Sequence, residues 1–186
     1  MTVKVHWSTR LKQLLGGLAL LGVAFLIGLY WVAPNLARAA DSYLPHMITE
    51  LPAGAIRLTN PDGSIALLPV RLAGTAEARR FGLRDAGPMA LSTLFLLHTH
   101  PREVTRHTYP MQGIRAPLEL AVIDPAGTVV EVRRVEPGTP SVAITVRHRW
   151  VLAAKAGLFA HYGIAVESAL DVEDIIIITK AVAAGS

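Results

Sequence analysis

Apolar and polar positions divide this chain into three stretches. Residues 14–33, LLGGLALLGVAFLIGLYWVA, run for 20 positions without a charge. At about 1.5 Å per residue a helix of that length spans roughly 30 Å, the hydrocarbon core of a bilayer. Tyr30 and Trp31 fall at its end, where amphipathic rings favour the headgroup region, and Pro34 and Asn35 stop it. Residues 41–54, DSYLPHMITELPAG, carry two prolines and no period, and read as a linker. Beyond them short apolar runs alternate with turn signals. The predicted organisation is a cytoplasmic N-terminus (1–13), a transmembrane helix (14–33), a linker (34–54) and a β-domain (55–186).

Within the β-domain, AIRLTN (55–60) and IALLPVRLA (65–73) flank Asn60-Pro61-Asp62-Gly63. This is a strong hairpin turn, with proline setting φ and glycine free to take φ > 0. LELAVID (118–124) and TVVEVRRV (128–135) flank Pro125-Ala126-Gly127 in the same way. TLFLL (93–97), VAITV (142–146), RWVLAA (149–154) and DIIIIT (174–179) complete the strand candidates, tightly apolar or rich in β-branched residues. Pro69 marks an edge strand or bulge. Thr75 is placed to cap a short helix through AEARRF (76–81), ended by Gly82, and residues 154–163 supply another helical turn. Many short strands and little helix predict an antiparallel β-sandwich, jelly-roll-like, or a barrel. In LELAVID, Leu118, Leu120 and Val122 alternate with Glu119, Ala121 and Ile123, so one face is expected to fill the core.

Charge then fixes the expected topology. Lys4, Arg10 and Lys12 precede the apolar segment with no acid among them. The positive-inside tendency keeps the N-terminus cytoplasmic and exports the rest. The expected location is a bacterial inner membrane, with the C-terminal domain in the periplasm. Ala37-Arg38-Ala39 also fits a small-x-small cleavage site, so a cleaved signal peptide is the competing reading. The chain carries net charge +4, but less Lys4, Arg10, Lys12 and Arg38 its 18 basic residues become 14, against 14 acidic ones. The exported part is neutral, and nucleic acid has no electrostatic support as a partner. The absence of cysteine excludes disulfides, thiol catalysis and a cysteine zinc site. Gly17, Ala24 and Gly28 line one side of the membrane helix, a small face that lets another helix backbone approach.

The order of pieces resembles a bacterial family known as domain of unknown function 192. Its members carry an Arg-x-x-Gly-Leu-Met turn and a Met-Leu-Phe strand. A Trp-Met-Lys-Asn-Thr segment then leads into Pro-Leu-Asp, and Tyr-Val-Leu-Glu and an Ala-Gly turn come near the end. Here Arg79, Gly82 and Leu83 match the first turn, with Arg84 in place of methionine. Leu94 and Phe95 match the strand. Met111 matches, while Pro110, Gln112, Gly113 and Ile114 replace tryptophan, lysine, asparagine and threonine. Pro117 and Leu118 match, followed by Glu119 for aspartate. Trp150, Val151 and Leu152 resemble Tyr-Val-Leu, Ala153 replaces the glutamate, and Ala156 and Gly157 match. The resemblance covers residues 55–172. It implies a compact, mostly antiparallel β-domain related to jelly-roll sandwiches, and no activity. An asparagine, an aspartate and a glutamate close in space would bind an ion or orient a ligand. Gly113 and Ala153 remove two of those acceptors, and only Glu119 remains.

Other chemistry is thin. His98 and His100 would share a face of one strand, a spacing that suits zinc or copper, with Glu103 and His107 close by. The plainer expectation is a surface loop of hydrogen-bonding histidines, because zinc needs at least three placed ligands. Ser141 and Ser168 lie in no Gly-x-Ser-x-Gly elbow. Arg147, His148, Arg149 and Trp150 form the most interface-like cluster, although Trp150 also suits a core. The expected function is a non-enzymatic accessory subunit of a larger membrane complex, without cofactor or metal. Its helix would contact lipid and an integral membrane protein, and its β-domain would make protein contacts. The alternative is a periplasmic domain binding a small ligand or metal, with hydrolytic chemistry open to it, through Glu119, His98, His100 and His107.

Overall fold

The computed structural model describes residues 38–172 and 175–178. The expected membrane helix, with Gly17, Ala24 and Gly28, lies outside them. Among the described residues no helix is long and apolar enough to cross a membrane. The chain divides into two compact units, 1–40 and 41–186, and the fold below is that of the second.

The second unit is mainly β, as the strand pattern predicts. Strands β1 (Ala53–Thr59) and β2 (Ile65–Ala73) form the first hairpin, and β5 (Leu118–Ile123) and β6 (Val129–Val135) the second. β3 (Phe95–Val104) and β8 (His148–Lys155) run through the middle, and β10 (Ile176–Ile178) lies on one edge. The order is β10-β1-β2-β3-β8-β5-β6, and the sheet curls into a half-barrel. Two short strands escape the sequence pattern. β9 (Ala169–Leu170) pairs with β1, and β4 (His107–Pro110) pairs with β7 (Ser141–Ile144) as a separate two-stranded ribbon.

Pairing is mixed rather than wholly antiparallel. β2 and β3 run parallel, with Val70 opposite Phe95 and Ala73 opposite His98. A parallel pair needs a crossover instead of a tight turn, and residues 74–94 supply one. They include the short helix α2 (Ala76–Phe81), whose first turn is capped by Thr75 Oγ1 accepting from the Ala78 amide at 3.1 Å. Pro69 lies just before the stretch of β2 that pairs with β3, where β2 has only β1 beside it among the described residues. A missing amide donor costs least there.

Apolar side chains pack on both faces of the sheet. Leu96, Leu118, Leu120, Val122 and Val151 form one core with Tyr109, Met111, Val142 and Ile144. Phe95, Leu97, Ala121, Ile123 and Leu152 form the other with Phe159 of α3 (Leu158–Tyr162) and Ile56, Leu58 and Leu68 of the first hairpin. The expectation that only the Leu118, Leu120 and Val122 face of β5 is buried is therefore corrected: Ala121 and Ile123 are also fully buried. The segment read as linker contributes too. Ile48, in α1 (His46–Thr49), is fully buried in the first core, with Leu44 and Leu51 packed against it.

Candidate functional site

The first core carries the polar groups that attract attention. His98 and His100 alternate with Leu97 and Thr99 along β3, so their side chains share the Leu96 face of the sheet. The β4–β7 ribbon lies over that face and brings His107 and Tyr109. β8 brings His148. The rings pack edge to face, with centroids 4.6 Å apart for His107 and Tyr109, 4.9 Å for His100 and His107, and 5.1 Å for His98 and Tyr109. The expected surface loop of histidines is thus replaced by a buried cluster, with His98 and His100 only 4% and 6% exposed. Nothing in residues 94–100 announces the covering ribbon, which comes from later in the chain.

One hydroxyl serves two imidazoles. Tyr109 Oη is 2.8 Å from His100 Nε2 and 3.4 Å from His148 Nε2. His148 Nδ1 donates to the Val146 carbonyl at 2.7 Å, since a carbonyl can only accept. His98 Nδ1 is buried without a partner. Burial pushes the His98 pKa down to about 3 and that of His100 to about 4, and lowers that of His107. The Arg79 guanidinium works in the same direction on all three. Burial also raises the Tyr109 pKa, so its hydroxyl keeps its proton. Among the described residues no three histidines or carboxylates are placed to hold a metal ion.

Beside this cluster a cleft of about 520 Å³ opens between α2 and the ribbon, lined by Arg79, Arg80, Arg84, His107, Gln112 and Ser141, among others. Arg79 Nη1 donates to the carbonyls of Gly74 at 2.6 Å and Thr99 at 2.8 Å, while its Nε is buried without a partner. Arg84 Nε donates to the Gln112 carbonyl at 3.2 Å. A smaller hollow beneath is lined by Arg79, Gly82, Leu83, Met111, Leu118 and Ala153, with His98 and Tyr109. Arg79, Gly82, Leu83, Met111 and Leu118, which carry the family resemblance, thus converge on one place.

The other predicted site residues are dispersed. Glu119 points to the face of the sheet opposite His98 and His100, and its Oε2 accepts from the Gly157 amide at 3.1 Å. It does not join the histidines. Gly113 has φ +78°, a region open to glycine and asparagine, so the exchange at that position preserves the backbone path. In the interface-like cluster, His148 and Trp150 are buried, and only Arg147 and Arg149 face solvent. Arg147 pairs with Glu103, and the Arg149 guanidinium sits 4.9 Å from the Trp150 ring centroid. Ser168 is buried and donates to Asn60 Oδ1 at 3.1 Å. Sequence reasoning passed over Tyr109, Arg84 and the cleft. The signal for Tyr109 was its place in the strand-like HTYP run, two residues from His107.

Fold and cleft define a half-barrel β-domain with an arginine-lined opening against a histidine-rich core. The chain belongs to the family DUF192, Uncharacterized ACR, whose model matches residues 57–172. No curated protein matches the chain. Among solved structures it is similar to a Sinorhizobium meliloti 1021 protein provisionally described as a transcription regulator. The identity is 21% and the TM-score 0.58, over 64% of this chain and 92% of that one. It is also similar to a protein of unknown function from Novosphingobium aromaticivorans DSM 12444, with 18% identity and TM-score 0.57 over 72% of this chain and 96% of that one. At these identities the likeness concerns the fold alone.

Proposed function

We propose that the β-domain is a non-enzymatic binding domain that takes a small ligand in the cleft between α2 and the β4–β7 ribbon. The observation that supports it is the division of labour among the polar groups. The His98, His100 and His148 imidazoles face inward, and His100 and His148 are engaged with Tyr109. The opening is lined by arginine, serine, threonine and glutamine side chains, groups that hold a ligand rather than transform it, with His107 the one imidazole that reaches it among the described residues. No histidine is hydrogen-bonded to the Ser141 or Thr108 hydroxyl among the described residues, so neither has the base a nucleophile needs. The test is thermal unfolding of the full-length chain with small organic probes of anionic, zwitterionic and neutral charge. One class should raise the melting temperature. Ser141→Trp, which fills the cleft from an exposed position, should abolish that rise. No rise with any probe, or the same rise in the variant, refutes the reading.

A second reading, the accessory subunit of a bacterial inner-membrane complex, has its own support. The apolar segment 14–33 offers the small face Gly17, Ala24 and Gly28 to an integral membrane protein. On the periplasmic side of this arrangement, Ile65 and Leu67 alternate along the outer face of β2, 65% and 64% exposed. Large exposed aliphatic residues side by side suit protein contact. Solubilisation in mild detergent should co-purify one partner at fixed stoichiometry, and Gly28→Leu together with Leu67→Ser should reduce it. Purification of the chain alone, or an undiminished partner in the double variant, counts against this reading.

A further inference from the structure

We propose that the ligand of this cleft is a small oxyanion carrying at least two negative charges, bound by Arg79, Arg80 and Arg84. The inference rests on the small-ligand reading above and names its chemical class. Three guanidinium groups line the opening and no carboxylate does. Elsewhere on the domain, arginines meet acids: Arg133 pairs with Glu131, Arg134 with Glu136 and Arg147 with Glu103. In the cleft, Arg79 is held by the carbonyls of Gly74 and Thr99, and Arg84 by that of Gln112. The Arg80 guanidinium has no partner among the described residues. A carbonyl orients a guanidinium without cancelling its charge, so the cleft keeps about three uncompensated positive charges on a domain that is near neutral overall.

Such a field selects by charge first. A cation is repelled, and a neutral molecule leaves three charges facing solvent. A monoanion offsets one, so two or more negative charges complement the site. Geometry then narrows the class. The planar fork of arginine matches the paired oxygens of a carboxylate or phosphate. Thr108, Gln112 and Ser141 add uncharged donors on the ribbon side. The cleft has room for a small organic skeleton between the two walls. Phosphate monoesters and dicarboxylates share this chemistry.

Titration calorimetry of the full-length chain tests it with two matched pairs: glycerol 3-phosphate against glycerol, and glutarate against glutaramide. At least one anion should bind while its neutral counterpart does not. Arg80→Gln and Arg84→Gln should each weaken binding about tenfold, the loss of one charge-assisted hydrogen bond. Arg134→Gln, at a residue paired with Glu136 outside the cleft, should change nothing. Binding of the phosphate alone assigns phosphate esters, and binding of glutarate alone assigns dicarboxylates. Arg80 is exposed and unpartnered, so its variant folds as the parent does, and a superimposable thermal unfolding curve checks this. Should Arg84→Gln fail to fold, the Arg80 variant alone decides. If neutral probes bind and the anions do not, the charge class is overturned while the cleft remains a binding site. If no probe of either kind binds or stabilises the chain, both readings fall. Unchanged anion affinity in both arginine variants moves the anion out of this cleft and overturns the proposal.

Discussion

At the residue scale the polar interior is dominated by imidazole. The buried polar side chains among the described residues are Asn60, Ser168, His98, His100 and His148. Asn60 and Ser168 satisfy each other, and His98 and His100 are the buried groups whose state depends on pH. Burial first, and then neighbouring positive charge, hold His98 at a pKa of about 3 and His100 at about 4. In the unfolded chain both titrate near 6.5. As pH falls below that value the unfolded state takes up protons that the folded state refuses. Stability is therefore complete above about pH 6.5 and is lost progressively toward pH 4 and 3. Each histidine contributes a slope of about 1 kcal/mol per pH unit in that window. The urea midpoint should be flat from pH 8 to 7 and decline steadily from pH 6 to 4.5. His98→Leu should make the decline shallower. It should leave stability at pH 7 equal or higher, because it removes a buried nitrogen that has no partner. A midpoint independent of pH in the parent chain would contradict the burial of these rings.

Two hairpin turns of similar sequence separate the element scale from the residue scale. Gly63, between β1 and β2, has φ +81° with nothing within 4 Å of where a Cβ would stand. Gly127, between β5 and β6, has φ +93°, but a Cβ there would lie 2.6 Å from the Leu170 carbonyl oxygen. The Gly127 carbonyl also accepts from the Leu170 amide at 2.7 Å, which ties this turn to β9. Gly63→Ala meets only the left-handed strain of an L residue, about 1–2 kcal/mol. Gly127→Ala must also push β9 away from the turn, and should cost at least about 1 kcal/mol more. Denaturant unfolding of the pair measures the difference; equal losses would show that the β9 contact gives way freely. The comparison also shows what the chain reveals of itself. Both hairpins were legible, because Asn-Pro-Asp-Gly and Pro-Ala-Gly act within a few residues. The capped helix α2 was legible for the same reason. The docking of β9, the parallel β2–β3 pair and the β4–β7 ribbon were not, since each depends on residues far apart in the chain. The site follows the same division. The period of two put His98 and His100 on one face, but their burial depends on Tyr109 and His107 arriving from β4. Arg79 was visible through the family pattern, whereas its neighbours Arg84 and Ser141 become part of a cleft only once α2 and β7 approach.

For the β-domain as a whole, the decisive feature is a curled sheet with a core on each side. β1 and β2 bury one face and leave Ile65 and Leu67 exposed on the other. β3, β8 and β5, further in, bury both. Consecutive residues of β3 test this directly. Leu96 lies in the core beneath the histidine cluster, and Leu97 lies in the core with Phe159 and the first hairpin. Both are fully buried. A sheet with one solvated face would tolerate alanine at one of the two positions within about 0.5 kcal/mol. A two-faced sheet loses about 2–5 kcal/mol at either, from the lost burial and the cavity left behind. Leu96→Ala and Leu97→Ala should therefore both fall in the larger range when the full-length chain is unfolded in guanidinium chloride. Both cores are built on the same central strands β3, β5 and β8, so the two should unfold together. Tryptophan fluorescence and far-ultraviolet dichroism should report one coincident transition in both variants. A tolerated substitution at either position, or two separated transitions, would mean that one of the cores is only a loosely attached cover.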